Sequence, residues 1–175
     1  MSDGQDWEEA FAVRLARLVD GQDRAALAAL RRGLGKAPGE APEMFPLVVP
    51  WIPAGFRPAD EEAVYLVASL VGFHPARITG LNLAASWHRA SLESASSEAQ
   101  FVAVLNADRE DLAPHLRRMI GILRAHGVPW DWAQLIRDLR RWEHPRRVVQ
   151  RRWASAYWGT AHDAAPEAIQ EGTSA

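Results

Sequence analysis

The sequence predicts an all-α fold, one helical bundle of about seven to eight helices, on three observations. Apolar residues recur at spacings of three and four along most of the chain, and no stretch alternates convincingly as a strand. Residues that start and stop helices bracket most of these periodic runs. At 175 residues, 48% of them apolar and 24% charged, the chain is long enough to bury a single core. It does so without cysteine, which excludes disulfides and thiolate metal sites.

The elements follow in order. WEEAFAVRLARLV sets Trp7, Ala10, Phe11, Leu15 and Leu18 on one face, with acids in its first turn where the helix dipole favours them. DRAALAALRRGL starts with Asp23 as cap, stops at Gly35, and aligns Leu27, Leu30 and Leu34. The proline-rich stretch up to Pro58 is a loop, with room for one short helix around Glu43–Val49. Asp60 to Gly72 is apolar on all sides and reads as a buried helix. Two further helices are expected over 81–91 and 97–107, the second opened by a Ser97 and Gln100 capping box. Asp111 caps the next, with Pro114 in its first turn, and Gly127 closes it after His126.

VPWDWAQLIRDLRRW is the plainest helix signal. Asp131 is the cap, Gln134 completes the box, and Trp130 and Leu135 form the staple. Trp132, Leu135, Ile136, Leu139 and Trp142 share one face, opposite Arg137 and Arg141. His144 and Pro145 break the chain, and a last helix runs from Arg146 to about Trp158. The helical domain is therefore 1–158, and 159–175 is expected to be a disordered tail. The acidic N-terminus has no signal-length apolar core, and runs such as VYLVASLVGF are too short to span a bilayer, so a cytoplasmic protein without membrane contact is expected.

The candidate chemistries sort quickly. GLGK at Gly33–Lys36 lacks the first glycine, the Ser/Thr and the preceding strand of a phosphate loop, and reads as a helix stop. The six histidines never pair at i,i+4, so no zinc site or other metal or cofactor is implied. The serines of SLESASSEAQ lack the glycines of a nucleophile elbow, and no catalytic residue is assigned.

Charge is the informative feature. The formal net charge is −2, yet Arg117 to Arg152 holds ten arginines against Asp131, Asp138 and Glu143. The stretch RRWEHPRRVVQRRW alone carries six arginines and one glutamate. Nineteen of the twenty basic residues are arginine, Lys36 being the exception. Helical projection runs Arg117 and Arg124 along the flank of one helix with Arg118 pointing outward, and points Arg147 and Arg151 outward on the last with Arg146 at the edge. Arg152 falls on the apolar side and is expected to form an ion pair with Glu143 or Asp138. Outward arginine on successive helices suits a sequence-blind grip on nucleic-acid phosphate. Trp132, Trp142 and Trp153 read as packing residues, and Trp158 as the exposed one.

In the order LNADREDL, HLRRMIGILR, VPWDWAQLIRDLRRW and RWASAYW, with ALAALRRG, PEMFPLVVPW and LNLAASWHR before them, the chain resembles the CasB family. That family is the small subunit of the type I-E CRISPR surveillance complex, Cascade. The resemblance runs from about Trp7 to Trp158. It implies a non-catalytic helical subunit in antiviral defence, present as two copies beside the large and backbone subunits. Such a subunit lies along the duplex of crRNA and target DNA and along the displaced non-target strand, and stabilises the R-loop. Carried over by motif, the nucleic-acid-facing positions are Arg31 and Arg32, Arg117 and Arg118, Arg146 and Arg147, with Arg89 in addition. Arg124 and Arg151 join them by helical position. Two other readings compete: a stand-alone helical nucleic-acid-binding protein, and a pure protein adaptor whose arginines meet acidic partners.

Overall fold

The computed structural model describes residues 6–91 and 95–159. Among these the chain forms nine α-helices, three short 3₁₀ turns and one isolated bridge between Arg77 and Trp130. The helices are α1 (Trp7–Asp20), α2 (Arg24–Arg31), α3 (Phe45–Val48), α4 (Pro58–Phe73) and α5 (Leu83–Ala90). They continue with α6 (Ala95–Asn106), α7 (Leu112–Ala125), α8 (Trp132–Arg140) and α9 (Val148–Trp158). The count exceeds the expected seven to eight, the single turn α3 in the proline-rich segment being the shortest of the nine. No helix of the described residues is long and apolar enough to cross a membrane.

α4 is the central element, because its sequence is apolar on every side. Ala63, Val64, Val67, Ala68, Leu70 and Val71 are all buried, against α2 on one side and α7 and α8 on others. The approach of α2 is set by Gly72. A Cβ there would stand 2.6 Å from the backbone N of Arg31 and 2.9 Å from the carbonyl of Leu27. Only glycine lets the two backbones meet so closely.

Tryptophan fills the remaining volume. Trp87, Trp130, Trp132 and Trp153 are fully buried, and the N–H of Trp130 donates to the His74 carbonyl at 3.0 Å. The buried Trp142 stacks edge-on to Trp153 and donates to the Ala107 carbonyl at 3.0 Å. The polar tips of Trp130, Trp142 and Trp153 are thus satisfied, which lowers the cost of burying the rings, whereas the Nε1 atoms of Trp87 and Trp132 have no partner among the described residues. α9 packs on α5 and presents Val149 and Trp153 inward.

Several local expectations change. α2 ends at Arg31, ahead of Gly35, because tight turns begin there: Gly33 N donates to Leu30 O and Leu34 N to Arg31 O. Gly33 sits under Met44, whose Sδ would lie 2.2 Å from an added Cβ, so any larger residue there would push the Met44 side chain aside. α6 is already helical at Ala95, so Ser97 is inside the helix and does not cap it. Asp111 occupies the cap position of α7 but makes no side-chain cap bond, since the 3₁₀ turn Arg109–Asp111 leads straight into the helix. Asp131 does cap α8, accepting from Gln134 N at 2.9 Å, but the Gln134 side chain turns forward to Asp138 at 2.8 Å. α9 starts at Val148, two residues late, because Arg147 is left-handed at φ 49°. Of the expected tail, 159–175, Gly159 is the C-cap of α9 and the rest lies outside the described residues.

Candidate nucleic-acid interface

Arginine divides into two groups, those a carboxylate holds in place and those that face solvent with no ion pair or only a loose, exposed one. The first group is held in ion pairs, most of them along the seam where α8 meets α1 and α4 and one between α8 and α9. Arg137, expected to point outward, instead pairs with Asp6. Arg140 meets Glu8 and Asp60, and lies over the rings of Trp7 at 5.5 Å and Phe56 at 4.6 Å. Arg77 pairs with Glu9 and sits over Trp132. Arg109 donates to Glu143 at 2.9 Å and to the Leu139 carbonyl at 2.7 Å. Arg152 does take Asp138, one of its two expected partners.

Asp138 is the knot between α8 and α9. It is fully buried and accepts from Trp153 Nε1 at 2.7 Å, from Gln134 and from Arg152. Burial pushes its carboxyl up from the ordinary aspartate range, against the lowering effect of those three donors. The opposite holds on the seam. Asp60 is held low, chiefly by its hydrogen bond from Arg57 and then by Arg140, and Asp6 is held low by Arg137.

The second group faces solvent. Arg31, Arg89, Arg117, Arg118, Arg124, Arg146 and Arg151 are exposed, and none forms an ion pair among the described residues. Arg124 rests on the ring of Phe73 at 4.9 Å, which holds the guanidinium at the surface of α7. Arg32 reaches Glu43 at 3.4 Å, but both side chains are about half exposed and such a pair constrains little. Arg147 is exposed and spends one donor on the Leu105 carbonyl, so it also ties the start of α9 to α6.

Three grooves gather part of this charge, each sharing lining residues with the next. The first, about 720 Å³, has Lys36, Arg117 and Arg118 beside an apolar floor of Leu66, Phe73 and Leu112. Arg109 and Glu110 also line the second, which continues past Arg147 to His144. His144 in turn lines the third, where Arg141, Arg151 and Arg152 converge and no carboxylate does. The middle of this run carries Asp108, Glu110 and Glu143, so the positive charge is concentrated at its two ends. Of the sequence-predicted residues, Arg117, Arg118, Arg147 and Arg151 thus line this path of adjoining grooves. Arg31, Arg32, Arg89, Arg124 and Arg146 line none of the three grooves.

Sequence reasoning passed over Lys36, Arg141 and Arg152 as part of the path. Lys36 was visible in the sequence as a cation just beyond Gly35, but not its place beside α7: Gly35 is left-handed at φ 73°, and an added Cβ there would stand 3.4 Å from Arg117 Nη1. Among the described residues no group of three His, Asp or Glu side chains could hold a metal ion. His74 is a structural histidine, its Nε2 2.8 Å from the Val128 carbonyl.

Fold and surface define an all-α protein that neutralises part of its arginine internally and leaves the rest free, with several of the free ones at the ends of one grooved path. A family profile described as CRISPR-associated protein Cse2 matches residues 26–158. Over 138 residues the chain is 42% identical to the CRISPR-associated protein Cse2 of Thermus thermophilus, covering 77% of this chain and 79% of that one. The crystal structure of CasB from Thermus thermophilus superposes with a TM-score of 0.77 at 39% identity, over 91% of this chain and 99% of the other. A chain of a solved CRISPR RNA-guided surveillance complex does so with a TM-score of 0.76 at 32% identity, over 90% and 94%. The chain belongs to the Cse2 family.

Proposed function

We propose that this chain is a non-catalytic subunit of the RNA-guided CRISPR surveillance complex, and that its free arginines hold nucleic-acid backbone so as to stabilise the R-loop. Family membership and the likeness to a chain of such a complex support the assembly. The observation that carries the role is the unneutralised arginine at Arg117 and Arg118 on one end of the grooved path and Arg151 on the other. A guanidinium without a protein carboxylate is available to phosphate, and it binds phosphate without reading bases. Opening a duplex against a guide is a nearly balanced exchange, so modest backbone contacts tip it. The crRNA, the target strand and the non-target strand are the polyanions concerned.

Exposed apolar residues serve the protein partners. Phe45 and Val49 stand out from the proline-rich segment, and Val13 from α1, where Trp51 shares a groove with it. These suit docking on the large and backbone subunits and on a second copy. The test is R-loop lifetime on a matched target, with guide and the other subunits, in the presence and absence of this chain. A several-fold longer lifetime in its presence is expected, shrinking as salt rises. Equal lifetimes would leave the arginines to acidic protein partners.

A further inference from the structure

The third groove runs along the outer face of α9 from Val148 to Ser155 and stops one turn before the helix does. Arg141, His144, Arg151 and Arg152 line it without a carboxylate, over about 790 Å³, the size of a ligand cleft. Arg152 is fixed by Asp138, while Arg141 and Arg151 meet no acid among the described residues. The sequence that follows α9 has the opposite charge. Between 160 and 175 stand Asp163, Glu167 and Glu171, and neither lysine nor arginine.

We propose that the segment 160–175 docks in the α8–α9 groove, setting its carboxylates on Arg141, Arg151 and Arg152, and so competes with nucleic-acid phosphate for them. The competition rests on the function proposed above; the docking does not. Reach supports it. Gly159 lies about 6 Å of helix rise beyond Ser155, and Asp163 can stand up to about 14 Å beyond Gly159. A single reversal of the chain therefore brings the three acids alongside the groove. Tethering holds the acids at millimolar local concentration, so exposed ion pairs that are weak between separate molecules suffice. The same exposure makes the docking sensitive to salt.

The chain has no cysteine, so Gln170→Cys gives one attachment point for a spin label on the full-length protein. At about 50 mM salt the label should broaden the amide signals of Arg141, His144, Val148, Arg151 and Ser155, and at about 0.5 M salt the broadening should vanish. It should also vanish when Asp163→Asn, Glu167→Gln and Glu171→Gln are combined. Absent broadening at low salt would overturn the docking. So would broadening that appears on an isotope-labelled chain only through an unlabelled, spin-labelled second copy. A fluorescent single-stranded DNA oligonucleotide then reads the competition: at about 50 mM salt the triple variant should bind it roughly three- to tenfold more tightly than the parent. Equal affinities would overturn the competition. Broadening with no oligonucleotide binding by either chain would uphold the docking and count against the proposed function instead.

Discussion

The α1–α4–α8 seam and the outer surfaces of α7 and α9 use the same side chain to opposite ends. On the seam, Arg137 and Arg140 close on Asp6, Glu8 and Asp60, and the charge is cancelled where it is made. On α7 and α9, Arg117, Arg118 and Arg151 are exposed and form no ion pair among the described residues. The difference teaches that arginine density marks a candidate binding surface only after the acids of the folded chain have been subtracted. It also separates what substitutions should do: the seam should answer in stability, the outer faces in binding.

The largest stability effect is expected where the two regions meet. Trp153→Ala empties a fully buried site and strips Asp138 of a donor, costing about 3–5 kcal/mol, to be read from the urea midpoint. Arg140→Ala should follow. It leaves Glu8 and Asp60 buried with fewer donors and uncovers Trp7 and Phe56, at about 2–4 kcal/mol by the same measurement. A loss below about 0.5 kcal/mol would mean the seam is no different from the outer faces.

Asp60→Asn is expected to cost about 1–2 kcal/mol near neutral pH, part of the pair being with the largely exposed Arg57. Because the folded carboxyl of Asp60 is held low, its contribution is complete above the unfolded aspartate value of about 4 and is lost as pH falls through the lower folded one. Parent and variant midpoints should therefore converge in acid. Asp138 has the reverse sign: raised in the fold, it favours the protonated folded state, and its contribution declines as pH climbs from about 4 through the folded value. The smallest stability change belongs to Arg117→Ala with Arg118→Ala, within about 0.5 kcal/mol. That variant should lower the salt dependence of single-stranded DNA binding by about 0.7 in slope for each phosphate it no longer holds.

Most of the fold was legible because helical periodicity is a local signal. The buried faces of α1, α7 and α8 follow from Leu, Ile and Trp at spacings of three and four. Cap details were less so, since a side chain chooses among partners that only the fold brings near: Gln134 reached Asp138, and Asn82, not considered as a cap, starts α5. The candidate site was legible in half. That Arg117, Arg118 and Arg151 lie outward follows from their own helices. That Arg137 does not depends on Asp6, 131 positions away, which no helical projection contains.

The central claim is that free arginine, not arginine as such, holds the nucleic acid. R-loop lifetime on matched targets of unrelated sequence tests it, in complexes carrying either Arg117→Ala with Arg118→Ala or the charge-matched control Arg57→Ala with Arg137→Ala, compared where both variants are folded. The control removes two arginines that already meet carboxylates of the chain, Asp60 and Asp6. The account expects the first variant to shorten every lifetime several-fold at low salt and the second to leave them unchanged. Equal effects from the two variants, or a defect confined to particular target sequences, would contradict it.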